Sequence, residues 1–218
     1  MKKRFIITVA LLIMLTTINS QEKIVISKFN LQEINIENNF LLEEKDIKKL
    51  LIPIYNKNLL FLKNTEIETL LMQNSFIDSF IIKKKYPNTL KVKIFEKKPI
   101  AILFNKKNKF FLGEKINLIE FKSLPNNQNL PYVFGNKDDF KILYNILIKI
   151  NFPLNQIKKY TFYEANRWDL EFKNNDIVKL PPKNYIKNLE NYLSLKKEKD
   201  FKRYKVFDYR INNQLILK

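Results

Sequence analysis

The apolar positions of this chain change period several times. Residues 31–36 alternate weakly, as a strand does. Ile47, Leu50, Leu51 and Ile54 then recur at i, i+3, i+4 and i+7, one face of an amphipathic helix. Glu43, Glu44 and Asp46 fall in its first turn, where the helix dipole favours anions, and Pro53 ends or kinks it. Thr65-Glu66-Ile67-Glu68 has capping-box spacing and predicts a second helix with Ile67, Leu70 and Leu71 on its apolar face. From residue 77 the period falls to two. Leu90, Val92 and Ile94 alternate with Lys91 and Lys93, predicting a half-buried strand with a polar outer face. Pro87 and Asn88 supply turn chemistry, so residues 77–101 read as a hairpin. The predicted order is β-α-α-β-β.

Beyond Pro99 a second unit begins. Residues 100–104, 109–112 and 132–134 read as short strands, the last stopped by Gly135. Residues 138–150 form a predicted helix with apolar side chains almost all round, hence a buried one. Trp168, Leu170 and Phe172 alternate with charged residues, Asn174-Asn175 turns the chain, and Val178 and Leu180 lead into Pro181-Pro182. Tyr185, Ile186, Leu189, Tyr192 and Leu193 make a second helix. Residues 206–211 and 214–217 are the last predicted strands.

Ahead of both units, Lys2, Lys3 and Arg4 precede an uncharged apolar run over residues 5–18. As a helix that run spans only ~21 Å, short of a ~30 Å hydrocarbon core, so length alone favours a signal-peptide segment. Asn19 and Ser20 at headgroup level, with the three cations snorkelling, would equally suit an anchor. Either way the positive charges hold the N-terminus in the cytoplasm and send the remainder outward.

Composition narrows the chemistry. The chain has no Cys and no His, which removes thiol nucleophiles, disulfides, metal sites built on those ligands and every His-based mechanism. Its two glycines, Gly113 and Gly135, cannot build a phosphate-cradling loop. The net charge of +18 rests on 36 Lys and only four Arg, spread along the whole chain. Such a spread bears on solubility and adhesion rather than on nucleic-acid recognition. Glu96 and Asp208 stand as isolated carboxylates without a visible partner, and no acid/base pair is read from them. Lys83-Lys84-Lys85 reads as a solvated strand end, or else as a patch for a partner or anionic lipid. Trp168 shares a face with Leu170 and Phe172 and reads as core.

Several segments, in order, resemble a known family. Ile77, Phe80 and Ile82, followed in register by Pro87, Leu90, Val92, Ile94, Glu96 and Pro99, with Ala101 two further on, resemble the hairpin of a POTRA (polypeptide-transport-associated) domain. Arg167-Trp168-Asp169-Leu170 with Val178-Lys179-Leu180-Pro181 resembles the RWDL hairpin of the FtsQ/DivIB proteins. Val206-Phe207-Asp208-Tyr209-Arg210 with Leu215-Ile216-Leu217 resembles their terminal strands, Tyr209 standing where Leu is usual. Asn38-Asn39 and Glu43 replace the family's usual Gly-Asn and Ser at the first helix.

The resemblance implies an α+β chain: a short cytoplasmic tail over 1–4, a transmembrane helix over 5–20, a POTRA domain (β-α-α-β-β) over 29–97, and a mixed β-sheet domain with two helices over 98–218. It favours the anchor over the cleaved signal. It further implies a non-enzymatic, cofactor-free inner-membrane protein of the division septum. Such a protein scaffolds septal peptidoglycan synthesis by binding FtsB-like and FtsL-like partners in the periplasm, with the POTRA domain serving other divisome components. The family's principal contact lies at the C-terminal strand, which here points to Arg210, Ile211, Asn212, Gln214, Leu215, Ile216 and Leu217. Arg167, in the hairpin of the same sheet, joins them as a contact. The alternative is a POTRA-type docking or chaperone module for outer-membrane protein assembly.

Overall fold

The structure is a computed structural model that describes residues 2–16, 27–105, 108–122, 129–211 and 213–218. Helix α1 (Lys2–Thr16) covers the N-terminal apolar run and has 15 residues. At ~1.5 Å per residue it is ~22 Å long. Among the described residues no helix is long and apolar enough to cross a membrane. The transmembrane helix expected over 5–20 is therefore not seen, and its last four positions lie outside the described residues.

The remaining chain divides into two compact units, split between Glu96 and Lys97. The first has the order read from the pattern. Strand β1 (Glu33–Glu37) pairs parallel with β3 (Thr89–Glu96), Ile34 opposite Leu90. Strand β2 (Ile77–Lys85) pairs antiparallel with β3, giving the sheet order β1-β3-β2. Helices α2 (Glu44–Leu50) and α3 (Asn64–Leu71) lie between β1 and β2, with a 3₁₀ turn over Ile52–Ile54. Pro53 sits in the first positions of that turn, where its missing N–H costs nothing. Ile47, Leu51, Ile54, Ile67 and Leu71 are buried with Ile34, Leu90, Val92 and Ile94.

The capping box does not form. Helix α3 starts one residue before Thr65, its cap residue is Lys63, and no side chain caps it. Thr65 is thus already helical, and its carbonyl accepts from the Thr69 hydroxyl at 2.8 Å. Glu96 is not isolated either. Its carboxylate accepts from the backbone N–H groups of Phe40, Leu41 and Leu42 at 3.1, 2.7 and 2.9 Å, holding the loop between β1 and α2 to the end of β3.

The second unit is built on a nine-stranded mixed sheet. Its strands are β4 (Pro99–Asn105), β5 (Asn108–Gly113), β6 (Leu118–Glu120), β7 (Tyr132–Phe134), β8 (Ile157–Tyr163), β9 (Arg167–Phe172), β10 (Ile177–Lys179), β11 (Val206–Asp208) and β12 (Ile216–Leu217). They lie in the order β12-β11-β10-β9-β8-β7-β4-β5-β6. Two neighbouring pairs, β7 with β8 and β10 with β11, are parallel and consecutive, so each needs a crossover. Helix α4 (Lys137–Lys149) makes the first and α5 (Ile186–Leu195) the second. Their buried residues Phe140, Leu143, Leu147, Leu189 and Tyr192 join one core with Tyr160, Trp168, Leu170, Phe172 and Phe207.

Local expectations change here. Helix α4 is amphipathic, not buried all round, since Ile142 and Ile148 are exposed. Strands β6 and β8 were not legible from the pattern. The final two strands are shorter than read, because the chain folds back on itself between them.

Among the described residues, scarce glycine leaves most left-handed positions to asparagine, Ile116 being an exception. Asn38, Asn56, Asn151, Asn166, Asn175, Asn184 and Asn213 all take positive φ, which Asn tolerates better than other side chains. Asn175 is the residue that turns β9 into β10. Beside that turn lies the fully buried Asp176, ion-paired with the Lys196 amine at 2.7 Å and accepting from the Tyr192 hydroxyl at 3.1 Å.

Candidate partner-binding edge

Among the described residues, strand β12 lies at one margin of the nine-stranded sheet, antiparallel to β11 alone. Val206 and Lys218 exchange both backbone hydrogen bonds, at 3.0 and 3.1 Å. Backbone direction alternates along a strand, so the N–H and C=O of Leu217 face away from β11, toward the open margin. Side chains alternate as well. Leu215 and Leu217 pack against the core, while Ile216 is exposed.

The segment joining β11 to β12 is held by specific bonds. Tyr209 donates its N–H to the Lys179 carbonyl and its hydroxyl to Asn191 Oδ1, at 2.9 and 2.8 Å. Burial raises the pKa of that phenol well above its ordinary value. Arg210 folds back onto Asp208: Nε lies 2.8 and 3.0 Å from the two carboxylate oxygens, and Nη2 lies 2.6 Å from Oδ2. The Arg210 N–H adds a bond of 3.1 Å to the same carboxylate. These hydrogen bonds from Arg210 hold the Asp208 carboxyl below its ordinary pKa despite its burial. Asp208 is therefore not an isolated carboxylate. The left-handed Asn213 and a bond from Gln214 N–H to the Ile211 carbonyl turn the chain into β12.

Next to this turn opens a groove of about 830 Å³, lined among others by Pro181, Lys187, Asn191, Tyr209, Ile211 and Leu215. Ile211 and Gln214 are exposed along it, and Asn212 lies outside the described residues.

Arg167 opens β9, three strands in from the margin strand β12. Its guanidinium stacks on Tyr163 at 4.5 Å and pairs with Asp169 at 3.4 Å. Cross-strand register nevertheless links it to Arg210. Asp169 lies opposite Lys179, Lys179 opposite Asp208, and Asp208 opposite Ile216. Residues in register share a face. A row of alternating charge thus crosses the sheet from Arg167 to Arg210 on the surface opposite the buried Trp168, Val178 and Phe207. Neither Lys179 nor Asp169 was singled out from sequence, although both stood within the quoted hairpin segments. The register that joins them is set by pairing between distant strands.

A βααββ domain followed by a larger mixed sheet defines a class, the POTRA-bearing chains. Residues 29–97 match the family described as POTRA domain, FtsQ-type. The cell division protein FtsQ of Rickettsia conorii is similar to this chain, 28% identical over 190 residues that cover 85% of this chain and 71% of the relative. FtsQ of Rickettsia felis is similar to the same extent over the same shares. Among solved structures, the major extracytoplasmic domain of the trans isomer of the bacterial cell division protein DivIB from Geobacillus stearothermophilus is 17% identical with a TM-score of 0.35, over 49% of this chain and 96% of that one. Residues 29–97 thus form an FtsQ-type POTRA domain, and over most of its length the chain is similar to FtsQ cell division proteins.

Proposed function

We propose that this protein is a non-enzymatic scaffold of the divisome, tethered at the inner membrane by its N-terminal apolar segment, with both folded units in the periplasm. It recruits FtsB-like and FtsL-like partners to septal peptidoglycan synthesis by accepting a partner segment as an added strand along β12. The observation that carries this reading is the outward backbone of Leu217 beside the exposed Ile216. An edge strand with unpaired N–H and C=O groups is a template for another chain. Main-chain bonds would supply affinity. Ile216 and Ile211 would supply apolar contact, and Arg210 and Arg167 charge-assisted bonds to partner carboxylates. Lys2, Lys3 and Arg4 set the orientation of the tether. A docking role in outer-membrane assembly has no observation of its own in its favour.

The test uses proline. In Leu217→Pro the missing N–H is the one that faces the open margin, so pairing with β11 survives while a partner strand loses its donor and meets the ring. Leu217→Ala controls for the lost side chain. Capture of an FtsB-like periplasmic segment should fail with Leu217→Pro and persist with Leu217→Ala, both remaining folded by circular dichroism. Equal capture by both would place the docking surface elsewhere.

A further inference from the structure

The first unit exposes apolar and basic side chains together at one of its ends. Three segments converge there. Leu59 N–H donates to the Phe29 carbonyl at 2.8 Å, Leu31 N–H to Lys57 at 2.9 Å, and Gln32 N–H to Asn88 at 2.9 Å. The Phe29 ring meets Tyr86 edge-on at 6.1 Å, and the Lys84 amine donates to the Leu62 carbonyl. Residues 27–31 therefore lie between the loop over 57–62 and the turn between β2 and β3. On these two turns Leu60 is 47% exposed, Phe61 75% and Tyr86 55%. Lys28, Lys63, Lys83 and Lys85 are exposed around them. The nearby carboxylates are engaged: Glu66 pairs with Lys57 at 2.7 Å and Glu33 accepts from the Thr89 hydroxyl at 3.2 Å.

This is also where the chain comes into the unit. Because β1 runs parallel to β3, the chain arrives beside the β2–β3 turn and leaves at Glu96, at the opposite end. The eight residues of β3 at ~3.3 Å each separate the two ends by about 26 Å. The arriving end is joined to α1 through residues 17–28, which even fully extended reach only about 40 Å.

We propose that this end of the unit docks on an anionic lipid surface. Leu60, Phe61 and Tyr86 enter the headgroup region, and the four lysines face lipid phosphates. An amphipathic ring with lysines around it suits the boundary between water and acyl chains. Each lysine near an anionic surface strengthens association roughly fivefold. The side chains stand on two turns beside the tether, so the surface they meet is the one that holds α1. The proposal rests on the tether proposed above, and its test separates the two.

The chain has no cysteine, so single nitroxides can be placed on the full chain at will. Four positions are labelled, in Leu12→Cys, Phe40→Cys, Phe61→Cys and Tyr86→Cys. Phe40 is an 82% exposed aromatic in the loop held by Glu96, at the leaving end. Each protein is reconstituted into vesicles of phosphatidylcholine with or without phosphatidylglycerol. With phosphatidylglycerol, labels at 61 and 86 should collide several-fold more with oxygen than with a water-soluble nickel chelate, while position 40 reads as aqueous. Adding Lys63→Glu and Lys85→Glu should return 61 and 86 to aqueous values. Aqueous readings at 61 and 86 with Leu12 in lipid would overturn the docking and leave the tether standing. Equal depth in neutral vesicles would remove the lysines from the interaction. An aqueous reading at Leu12 would overturn the tether.

Discussion

Arg210 and Asp208, two residues apart, close a fork at 2.8 and 2.6 Å on the strand next to the sheet margin. Asp208 is 6% exposed, so its charge depends on that single guanidinium for most of its neutralisation. Arg210 keeps part of its surface in solvent. One arginine thus orders the turn into β12 and offers a positive edge beside it.

Arg210→Ala should therefore act twice. It leaves a nearly buried carboxylate without its charged donor, at about 1–3 kcal/mol of stability measured by urea denaturation. It should also weaken partner capture more than a Lys substitution at the same place, which keeps the positive charge although it cannot reproduce the fork.

The pH dependence follows with a definite sign. The Asp208 pKa is depressed in the folded protein, so its contribution is present above the ordinary carboxyl value and lost as pH falls through the lower folded one. The stability gap between wild type and Arg210→Ala should be full at neutral pH and shrink below about pH 4. A gap that stays constant down to pH 2 would show that the pair is not the cause.

Glu96→Ala should loosen the first unit by about 1–3 kcal/mol, because three backbone N–H groups lose one carboxylate. Glu96→Gln, which keeps an acceptor oxygen, should lose less. Amide hydrogen exchange at residues 40–42 should quicken in the first variant well before global unfolding.

Asp176→Ala should be the most damaging of these changes, at about 3 kcal/mol or more by chemical denaturation. It leaves Lys196, mostly buried, and the Tyr192 hydroxyl without their shared partner. An Asp176→Asn variant keeps the hydroxyl bond but not the charge, so an intermediate loss should follow.

Much of this molecule follows from periodicity. The alternation at Leu90, Val92 and Ile94 defined a strand with one wet face, because burial selects that period locally. The spacing of Ile47, Leu51 and Ile54 marked one buried face, but the helix expected to carry it stops at Leu50 and a 3₁₀ turn supplies Ile54. Asn174-Asn175 was legible as the turn after Phe172, and Asn175 takes the left-handed φ there. The arginines and the terminal apolar alternation were legible as a candidate surface through family resemblance.

Tertiary structure alone decided the rest. Nothing local says that β12 would be marginal, that Leu217 would turn its amide outward, or that Glu96 would bind a loop more than fifty residues earlier. Strand β8 has too weak an alternation to announce itself and exists because β7 and β9 flank it. The charge row from Arg167 to Arg210 comes from register among three strands, and register is a property of pairing rather than of any one segment. The physical reason is the same throughout: periodicity encodes which face is buried, whereas partners distant in sequence decide which backbone groups remain unpaired.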